Sequence, residues 1–228
     1  MNDVAVITAQ NEEATIFPLV KALRGLGFLV LVCDDASTDR TRRFAEDAGA
    51  HVRHHDTRKG IARSLVELWW DAINVHGAQR LVQLDAGMAH NPADALGLLA
   101  MLNLGADVVI GSRFCPFGHY LGGSLLRRLG SRAMTMLCNL TMGAHYSDWS
   151  SGYRAFTRKA LFHLINGHYF AKGHAWQMEV LSRAMEAEMR IVEFPIVYCA
   201  GKSSLRLSGV IEAVNVWLQI LCNRKRPQ

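Results

Sequence analysis

Two stretches of the sequence place an apolar, strand-like run directly before acidic side chains. Residues 30–39 pass from four apolar residues to the carboxylates of Asp34 and Asp35, and residues 80–87 pass from an apolar run to Asp85. In an open α/β sheet, ligands bind in the crevice beyond the carboxyl ends of the strands. Buried carboxylates without a partner are costly at such a position. The two runs therefore predict an α/β protein with a site for a polar ligand, a nucleotide above all, at this edge.

Apolar periodicity in the first half of the chain indicates strands that alternate with helices. Predicted strands cover residues 4–8, 28–33, 51–54, 81–84 and 107–110, and predicted helices cover 12–26, 38–48 and 63–75. Such alternation is typical of a mostly parallel sheet with right-handed crossovers and helices on its faces.

The second half is less regular. We expect a glycine-bearing loop at 118–123, helices at 125–142 and 176–188, and a strand at 191–197. No repeat, low-complexity run or linker divides the chain, so one domain is expected over residues 1–228, with residues 209–228 as an amphipathic helix and basic tail. That helix has two interpretations of equal weight: an interfacial helix on a lipid surface, or a helix that packs on the sheet.

Composition restricts the class of partner and the compartment. The 228 residues carry a formal net charge of +5, which favours an anionic partner such as a nucleotide, a phospholipid surface or a nucleic acid. The five cysteines form no CxxC pair, which argues for a reducing compartment and against a zinc site or disulfide frame. No signal peptide is apparent, and no apolar run approaches the roughly 18 residues of a membrane span. We expect a cytoplasmic protein, with contact to the cytoplasmic face of a membrane as one option.

The segment after the first strand also has two interpretations. In Thr8-Ala9-Gln10-Asn11-Glu12-Glu13, Asn11 and the acids behind it could cap the following helix. Together with Asp35, the same residues could form one wall of a nucleotide pocket.

The order of five motifs resembles that of family-2 glycosyltransferases of the GT-A fold. The motifs are Asn-Glu-Glu at 11–13, Asp-Asp-Ala-Ser-Thr-Asp at 34–39, Leu-Asp-Ala at 84–86, Gly-Ser-Arg at 111–113 and Ser-Ser-Gly-Tyr-Arg-Ala-Phe at 150–156. Within that family the chain looks most like the dolichyl/polyprenyl-phosphate mannosyltransferase branch, from Val4 to about Ser208. The resemblance implies a single GT-A (Rossmann-like) α/β domain with a mostly parallel central sheet flanked by helices.

The resemblance also implies roles for individual residues. The positions that match the holders of the base and ribose of a nucleotide sugar are Thr8, Gln10, Glu12 and Asp35. The positions that match residues of the transfer site are Asp85 for a metal on the diphosphate, Arg113 for a phosphate, Arg127 and Ser131 for the acceptor phosphate, and Asp148 for the sugar side. Gln177 and Glu179 match site-facing residues of the donor side, and Lys202 matches a mobile basic loop. Arg154 is expected to brace its loop through a buried ion pair.

One departure from the family pattern concerns the metal. The second acid of the family's Asp-x-Asp is Gly87 here, and the position two residues further on is Ala89. Mg²⁺ and Mn²⁺ use a few protein oxygens together with waters and substrate phosphates. We therefore expect a divalent metal to be retained by Asp85 and the diphosphate, although more weakly. The alternative is neutralisation without metal by Arg113, Lys202 and Arg206.

Motifs missing from the second half of the chain indicate the class of acceptor. A sugar hydroxyl needs a general base, and the Glu-Asp pair and Gln-x-x-Arg-Trp motif of base-using relatives are missing. A lipid phosphate is already an anion and needs only positioning. The resemblance thus implies an inverting transferase that moves a hexose from a GDP- or UDP-sugar to a polyprenyl or dolichyl phosphate, above all mannose from GDP-mannose.

Two alternatives stay open from the sequence alone. The first is a nucleotide-sugar-dependent transferase that acts on a glycan, a protein or a modified nucleic-acid base, although no nucleic-acid-binding motif is visible. The second is a non-catalytic nucleotide-sugar-binding subunit, which Gly87 favours.

Overall fold

A seven-stranded sheet forms the centre of the computed structural model, which describes residues 2–201 and 207–224, and a two-stranded sheet lies beside it. The strands are β1 (Asp3–Ala9), β2 (Leu29–Asp35), β3 (His51–His55), β4 (Arg80–Asp85), β5 (Val108–Ser112), β6 (His119–Gly122), β7 (Arg154–Thr157), β8 (Ile191–Pro195) and β9 (Val197–Ala200). The helices are α1 (Ile16–Gly25), α2 (Thr41–Asp47), α3 (Ile61–Asn74), α4 (Asp94–Asn103), α5 (Leu125–Met142), α6 (Arg158–Leu164), α7 (Trp176–Glu186) and α8 (Leu207–Arg224).

The order of strands in the large sheet is β3-β2-β1-β4-β7-β5-β8. Strands β1 to β4 run parallel, β5 is parallel to β8, and β7 lies antiparallel between β4 and β5. The expected α/β fold with a mostly parallel sheet is confirmed. The register places Thr8 of β1 beside both Cys33 of β2 and Asp85 of β4, so the carboxyl ends of these strands share one edge.

Two hydrophobic cores cover the two faces of this sheet. Side chains of β1 alternate between them: Val4 and Val6 enter one core, and Ala5 and Ile7 enter the other. This is the period of two that a strand buried on both faces requires. Trp69 of α3 packs at the centre of the first core, with its ring centroid 5.0 Å from that of Trp176. The two covered faces hold the strands rigidly and leave the ends of the strands as the place for a ligand.

Helix α5 begins and ends where the sequence predicted, at 125 and 142. Ser124 caps its start by accepting a hydrogen bond from the backbone N–H of Arg127, and Gly143 ends it in the left-handed conformation with φ of 65°. Both are standard helix-end signals. Helix α8 follows the expected amphipathic segment as far as Arg224, and residues 225–228 lie outside the described part. Within the described ranges, no helix is long and apolar enough to cross a bilayer.

Several predicted boundaries were wrong because strands pair with segments that are distant in the sequence. The predicted loop at 118–123 contains β6, which pairs in parallel with β9 from the far end of the sequence. The predicted strand at 191–197 is divided between β8 and β9. Helix α6 was not predicted. Strand β2 extends through Asp34 and Asp35, because these residues continue the ladder with β3.

Gly118 provides a test of the packing between β5 and β6. A Cβ atom there would lie 2.6 Å from the Ser112 carbonyl oxygen and 2.9 Å from the Arg113 carbonyl carbon. Because both are backbone atoms, we expect Gly118→Ala to lower the free energy of unfolding by about 1–3 kcal/mol, as overpacking does. The control is Gly130→Ala in α5, where a Cβ meets nothing within 4 Å and stability should rise by about 0.5–1 kcal/mol. Urea denaturation of both variants measures this, and an unchanged Gly118→Ala protein would contradict it.

Candidate active site

Three loops at the carboxyl ends of β1, β2 and β4 contain a residue in a left-handed conformation. The φ angles are 56° at Asn11, 62° at Ala36 and 54° at Met88. Non-glycine residues adopt this conformation rarely, and such strain concentrates at functional sites. The edge predicted from the strand-end acids therefore holds three of the five non-glycine residues with positive φ in the described part of the chain.

The loops after β1 and β2 are joined by side-chain hydrogen bonds. The Thr38 N–H donates to Oδ1 of Asn11 (2.8 Å), and the Glu12 N–H donates to Oγ1 of Thr41 (2.7 Å). Helix α1 begins only at Ile16, so Asn11 does not cap it, and the capping interpretation was wrong. Asn11 instead fixes the two loops to each other. Among the predicted nucleoside-binding residues, Thr8, Gln10 and Glu12 are all partly exposed at this edge.

Asp35 is held by several donors at the end of β2. Its Oδ1 accepts the Lys59 N–H (2.8 Å) and lies 2.9 Å from His55 Nδ1, and its Oδ2 accepts the Gly60 N–H (2.8 Å). Burial alone would raise the pKa of Asp35, but the bonds from Lys59, His55 and Gly60 outweigh it and lower the pKa. The carboxylate is thus a fixed anion, and its predicted contact with a base or ribose stays a prediction.

His55 connects Asp35 to a second acid. Its Nε2 lies 2.9 Å from Oε2 of Glu67, whose Oε1 accepts from Nε of Arg63 at 2.6 Å. Burial would raise the pKa of Glu67, but His55, Arg63 and Lys59 lower it to about 2. His55 therefore lies between two carboxylates, Asp35 and Glu67, beneath the predicted nucleoside subsite.

Asp85 lies at the end of β4, with its side chain 33% exposed. Burial tends to raise its pKa, but His90, His174 and Arg113 together lower it to about 2. Nε2 of His90 is 3.4 Å from Oδ2 of Asp85, too loosely arranged to count as a hydrogen bond, and both ring nitrogens of this buried histidine have no other partner. Asp85 is consequently an ionised carboxylate near neutral pH.

Arg113 and Asp148, both predicted site residues, form a buried ion pair. Nε and Nη2 of Arg113 each lie 2.7 Å from one oxygen of Asp148, and the Arg113 backbone N–H also donates to that carboxylate. Nη2 donates further to Oγ of Ser150 at 2.6 Å. Asp148 has no exposed surface, so its geometry gives it the role of positioning Arg113. The expected contacts of Arg113 with phosphate and of Asp148 with the sugar side are untested.

Tyr198 of β9 lies between two of the polar side chains of the site, Arg113 and His90. Its ring centroid is 5.3 Å from the Arg113 guanidinium and 5.0 Å from the ring of His90. Burial raises the pKa of Tyr198, and Arg127, Asp85 and Arg113 all lie near enough to shift it as well. Ring contacts therefore link Arg113 to Tyr198 and Tyr198 to His90, and His90 lies 3.4 Å from Asp85.

Arg127 and Ser131 occupy successive turns of α5. Four residues apart, they lie on the same side of the helix, and both are partly buried. Two polar side chains placed on one side of a helix in this way are close enough to contact a single phosphate group. Their role in acceptor binding stays a prediction.

Arg154, Gln177 and Glu179 brace the polypeptide around the site. Arg154 is fully buried and donates to the carbonyls of Ser151, Gln177 and Trp149. The expected bracing role is thus confirmed, but its partners are carbonyls instead of an acid. Both oxygens of Glu179 accept backbone N–H groups, from Phe170 and Ala171, whereas Oε1 of Gln177 accepts from Gln83.

The contact of Gln177 and Glu179 with a sugar is not tested by these bonds. Lys202 and Arg206, predicted for a basic loop, lie outside the described residues. Sequence analysis missed His90, His174 and Tyr198. Of these, only His90 could have been found from the sequence, because it lies five residues after Asp85.

The metal donors available at this edge are few. Within residues 2–201 and 207–224, no group of three or more His, Cys, Asp or Glu side chains converges as a metal site. A Cβ at Gly87 would lie 3.7 and 3.8 Å from the two carboxylate oxygens of Glu12. Asp85 is ionised and partly exposed, and one such carboxylate suits a Mg²⁺-type ion that takes its other ligands from water and substrate phosphates.

Comparison with known proteins now decides the family. Residues 4–165 match the model of glycosyl transferase family 2. The chain belongs to glycosyl transferase family 2. It is therefore a glycosyltransferase, and the family resemblance inferred from the five motifs is confirmed.

Two curated relatives are similar over most of their length. The undecaprenyl-phosphate mannosyltransferase of Micrococcus luteus is 32% identical over 193 residues, which are 81% of this chain and 79% of the relative. The polyprenol monophosphomannose synthase of Mycolicibacterium smegmatis is 29% identical over 195 residues, 81% of this chain and 73% of the relative.

A solved structure supports the fold. The glucosyl-3-phosphoglycerate synthase from Mycobacterium tuberculosis, crystallised with Mn²⁺, UDP-glucose and phosphoglyceric acid, has a TM-score of 0.75 and 20% sequence identity, covering 97% of this chain and 80% of the other. At this identity the likeness establishes the GT-A architecture of this transferase and no more.

The Glu67 pKa makes the stability of this family member depend on pH. Because folding lowers that pKa from 4.5 to about 2, the ionised Glu67 stabilises the fold above pH 4.5, and this contribution is lost as the pH falls towards 2. We expect Glu67→Gln to cost about 3 kcal/mol at pH 7, with the difference from wild type narrowing below pH 4.5. Urea titrations at several pH values measure the difference.

A matched control comes from an exposed acid. Glu46 pairs with Arg42 on the surface of α2 and is 47% exposed, so Glu46→Gln should change stability by about 0.5 kcal/mol or less. A cost of Glu67→Gln that stays constant from pH 7 to pH 2 would contradict the assignment.

Proposed function

We propose that this transferase moves mannose from a nucleotide diphosphate sugar, GDP-mannose, to a polyprenyl phosphate. Two relatives with about 30% identity carry names for this type of reaction. The observation that carries the proposal is the fixed guanidinium of Arg113, which Asp148 holds beside Tyr198 while His90 links the same ring to Asp85. A fixed cation in one cluster with a partly exposed carboxylate suits a site for phosphate-bearing substrates.

The state of the acids in the site supports an acceptor that is already ionised. Asp35, Asp148 and Glu179 each have their carboxylate oxygens engaged with N–H donors. Such groups are poor candidates for a general base, because a base needs access to the proton it removes. A phosphate monoester near pH 7 already carries an ionised oxygen that can attack, so the reaction needs orientation and positive charge instead.

The proposed displacement is a single step. An acceptor phosphate oxygen attacks C1 of the sugar, the bond from C1 to the donor's diphosphate oxygen breaks, and its electron pair leaves with the diphosphate. No proton moves, and the configuration at C1 inverts. Arg127 and Ser131 hold the acceptor phosphate, while Arg113, fixed by Asp148, offsets negative charge without reorganising.

A divalent metal belongs to the same proposal. Asp85 would hold Mg²⁺ or Mn²⁺ jointly with the donor diphosphate, as its ionisation and partial exposure allow. When bound, such an ion neutralises charge on the leaving diphosphate. The relative crystallised with Mn²⁺ and UDP-glucose supports a metal for this fold. With Gly87 in place of the second acid, binding should depend on the nucleotide.

The lipid acceptor also implies a location. A transferase that takes polyprenyl phosphate must reach it at a bilayer surface, so we propose peripheral association with the cytoplasmic face of a membrane.

The proposed nucleoside subsite consists of Thr8, Gln10, Glu12 and Asp35. Gln177 and Glu179 support it.

The function is tested with the purified full chain. We expect transfer from GDP-mannose to a short, water-soluble isoprenyl phosphate, with an inverted anomeric configuration in the product. Arg127→Gln should lower kcat/KM for the acceptor about a hundredfold, as the loss of one preorganised charged contact does. Arg128→Gln, at an exposed neighbouring position, is the control and should be near wild type. No transfer from GDP-mannose, or equal effects of the two variants, would contradict the proposal.

The metal is tested by binding. In calorimetric titrations we expect Mn²⁺ to bind in the presence of GDP but not in its absence, and Asp85→Asn to remove this binding. Gly87→Asp should tighten it by about tenfold or more, because a Cβ at 87 makes only ordinary contacts and a second carboxylate adds a hard oxygen ligand. Gly25→Asp, in open space at the end of α1, is the control. Unchanged affinity in Gly87→Asp would contradict a metal at Asp85.

A further inference from the structure

The carboxylate of Glu12 faces Gly87. A Cβ atom placed on Gly87 would lie 3.7 Å from Oε1 and 3.8 Å from Oε2 of Glu12. Because the two distances are nearly equal, the carboxylate presents both of its oxygens to the position where a side chain at 87 would begin. The approach joins two loops, since Glu12 follows β1 and Gly87 follows β4, and these strands pair with Thr8 beside Asp85.

Glu12 is held in this place by its backbone and by its side chain. Its N–H donates to Oγ1 of Thr41 at 2.7 Å, and its carbonyl accepts the N–H groups of Thr15 and Ile16, each at 3.0 Å. The hydroxyl of Thr15 donates to Oε2 at 2.9 Å. The direction of the carboxylate toward Gly87 is therefore fixed by the fold.

Gly87 is the position at which this chain departs from the family pattern. The resemblance implies a second acid there, and glycine supplies no side chain. Glu12 brings two carboxylate oxygens from the neighbouring loop to ordinary contact distance of the same position. The chain therefore has a carboxylate next to the place of the missing acid, but this carboxylate comes from the loop after β1 instead of the loop after β4.

The two adjacent acids of the Asn-Glu-Glu motif have different surroundings. Oε2 of Glu13 accepts from the backbone N–H and from Nε of Arg40, so this carboxylate has a cation beside it. Oε2 of Glu12 accepts the Thr15 hydroxyl, and in the described part of the chain no basic side chain forms an ion pair with Glu12. Of the two acids, Glu12 is the one whose carboxylate is available to a cation from outside.

A second observation beside Asp85 points to a ligand. His90 is buried, and neither of its ring nitrogens has a hydrogen-bond partner among the described residues. Its ring packs against those of Tyr153 and Tyr198, with centroids 4.8 and 5.0 Å away, and Nε2 lies 3.4 Å from Oδ2 of Asp85. Burial of an unpaired polar group is costly. Such a nitrogen therefore indicates a place for a polar or ionic ligand beside Asp85.

A divalent cation is the ligand that suits these surroundings. Mg²⁺ and Mn²⁺ prefer hard oxygen ligands and are commonly held by one or two carboxylates together with substrate phosphates. Asp85 supplies one carboxylate, and the fixed carboxylate of Glu12 is the second one at this edge. A ribose hydroxyl, the contact that the motif implies for Glu12, needs one acceptor oxygen and gives no reason for both oxygens to face Gly87.

We propose that Glu12 supplies the second carboxylate of the divalent-metal site, in place of the acid that is missing at 87. The inference rests on the proposed function for the metal at Asp85. Glu12 then connects the nucleoside subsite to the metal. The loss of an acid after β4 is compensated from the loop after the neighbouring strand, β1.

Calorimetric titration of the full chain with Mn²⁺ in the presence of GDP tests this role. We expect Glu12→Gln, which keeps the size of the side chain, to weaken Mn²⁺ binding by about tenfold or more, since removal even of a group that only orients a metal ligand has an effect of this size. The affinity for GDP in EDTA should keep its wild-type value. The matched control is Glu13→Gln, in which an acid paired with Arg40 and 39% exposed is changed, and both affinities should stay as in wild type.

A double variant distinguishes a metal ligand from a residue that only supports the fold. We expect Gly87→Asp to tighten Mn²⁺ binding by a larger factor in the Glu12→Gln protein than in wild type. In the first it restores the second carboxylate, and in the second it adds a third, so the two changes are not additive. Equal factors in the two proteins would show that the positions act independently and would refute the shared role.

Further outcomes separate this inference from the proposed function. A wild type that transfers mannose but binds no Mn²⁺ with GDP would leave the transferase standing and refute the role of Glu12. Binding of Mn²⁺ that is lost in Asp85→Asn but unchanged in Glu12→Gln would leave the metal at Asp85 and also refute it. Weaker binding of GDP in EDTA by Glu12→Gln would assign the carboxylate to the ribose, which again contradicts the inference.

Discussion

The buried pair of Arg113 and Asp148 is the contact on which the arrangement of the transfer site depends. An arginine almost without exposed surface is tolerated only because a carboxylate meets it with two hydrogen bonds, and removal of one partner from such a pair commonly costs about 3–5 kcal/mol. The pair joins the end of β5 to the loop before β7. Around it pack Phe114, Tyr120 and Tyr198, so the aromatic wall and the cation keep their places together.

Local patterns in the sequence were sufficient for the α/β class, the order of most elements and the edge that carries the site. Strand-end acids such as Asp85 and helix-end signals such as Ser124 and Gly143 act over a few residues, and these can be recognised without a structure. The pairing of β6 with β9, the bracing of Arg154 by carbonyls and the meeting of His90 with Tyr198 depend on residues far apart in the chain. No local pattern contains that information, which is why those features were missed or assigned the wrong partners.

The structure also shows different environments for acidic residues that the family motifs present as equivalent. Family motifs mark Asp35, Asp85 and Asp148 alike as acids of the site. In the fold, Asp35 is bound to backbone N–H groups, Asp148 to an arginine, and Asp85 alone of the three keeps a third of its side chain exposed. A motif shows only that a side chain lies near the site. Its burial and its hydrogen bonds show whether it is free to bind a ligand or instead holds another part of the protein in place.

Glu212 of α8 begins a series of contacts that reaches the site. It grips the backbone at Lys172 and Gly173, the Lys172 carbonyl would collide with any side chain at Gly60, and the Gly60 N–H holds Asp35. Hydrogen bonds and one close approach of backbone thus connect α8 to the end of β2. The backbone that fixes Asp35 is therefore supported from the C-terminal helix, although the two segments are far apart in the sequence.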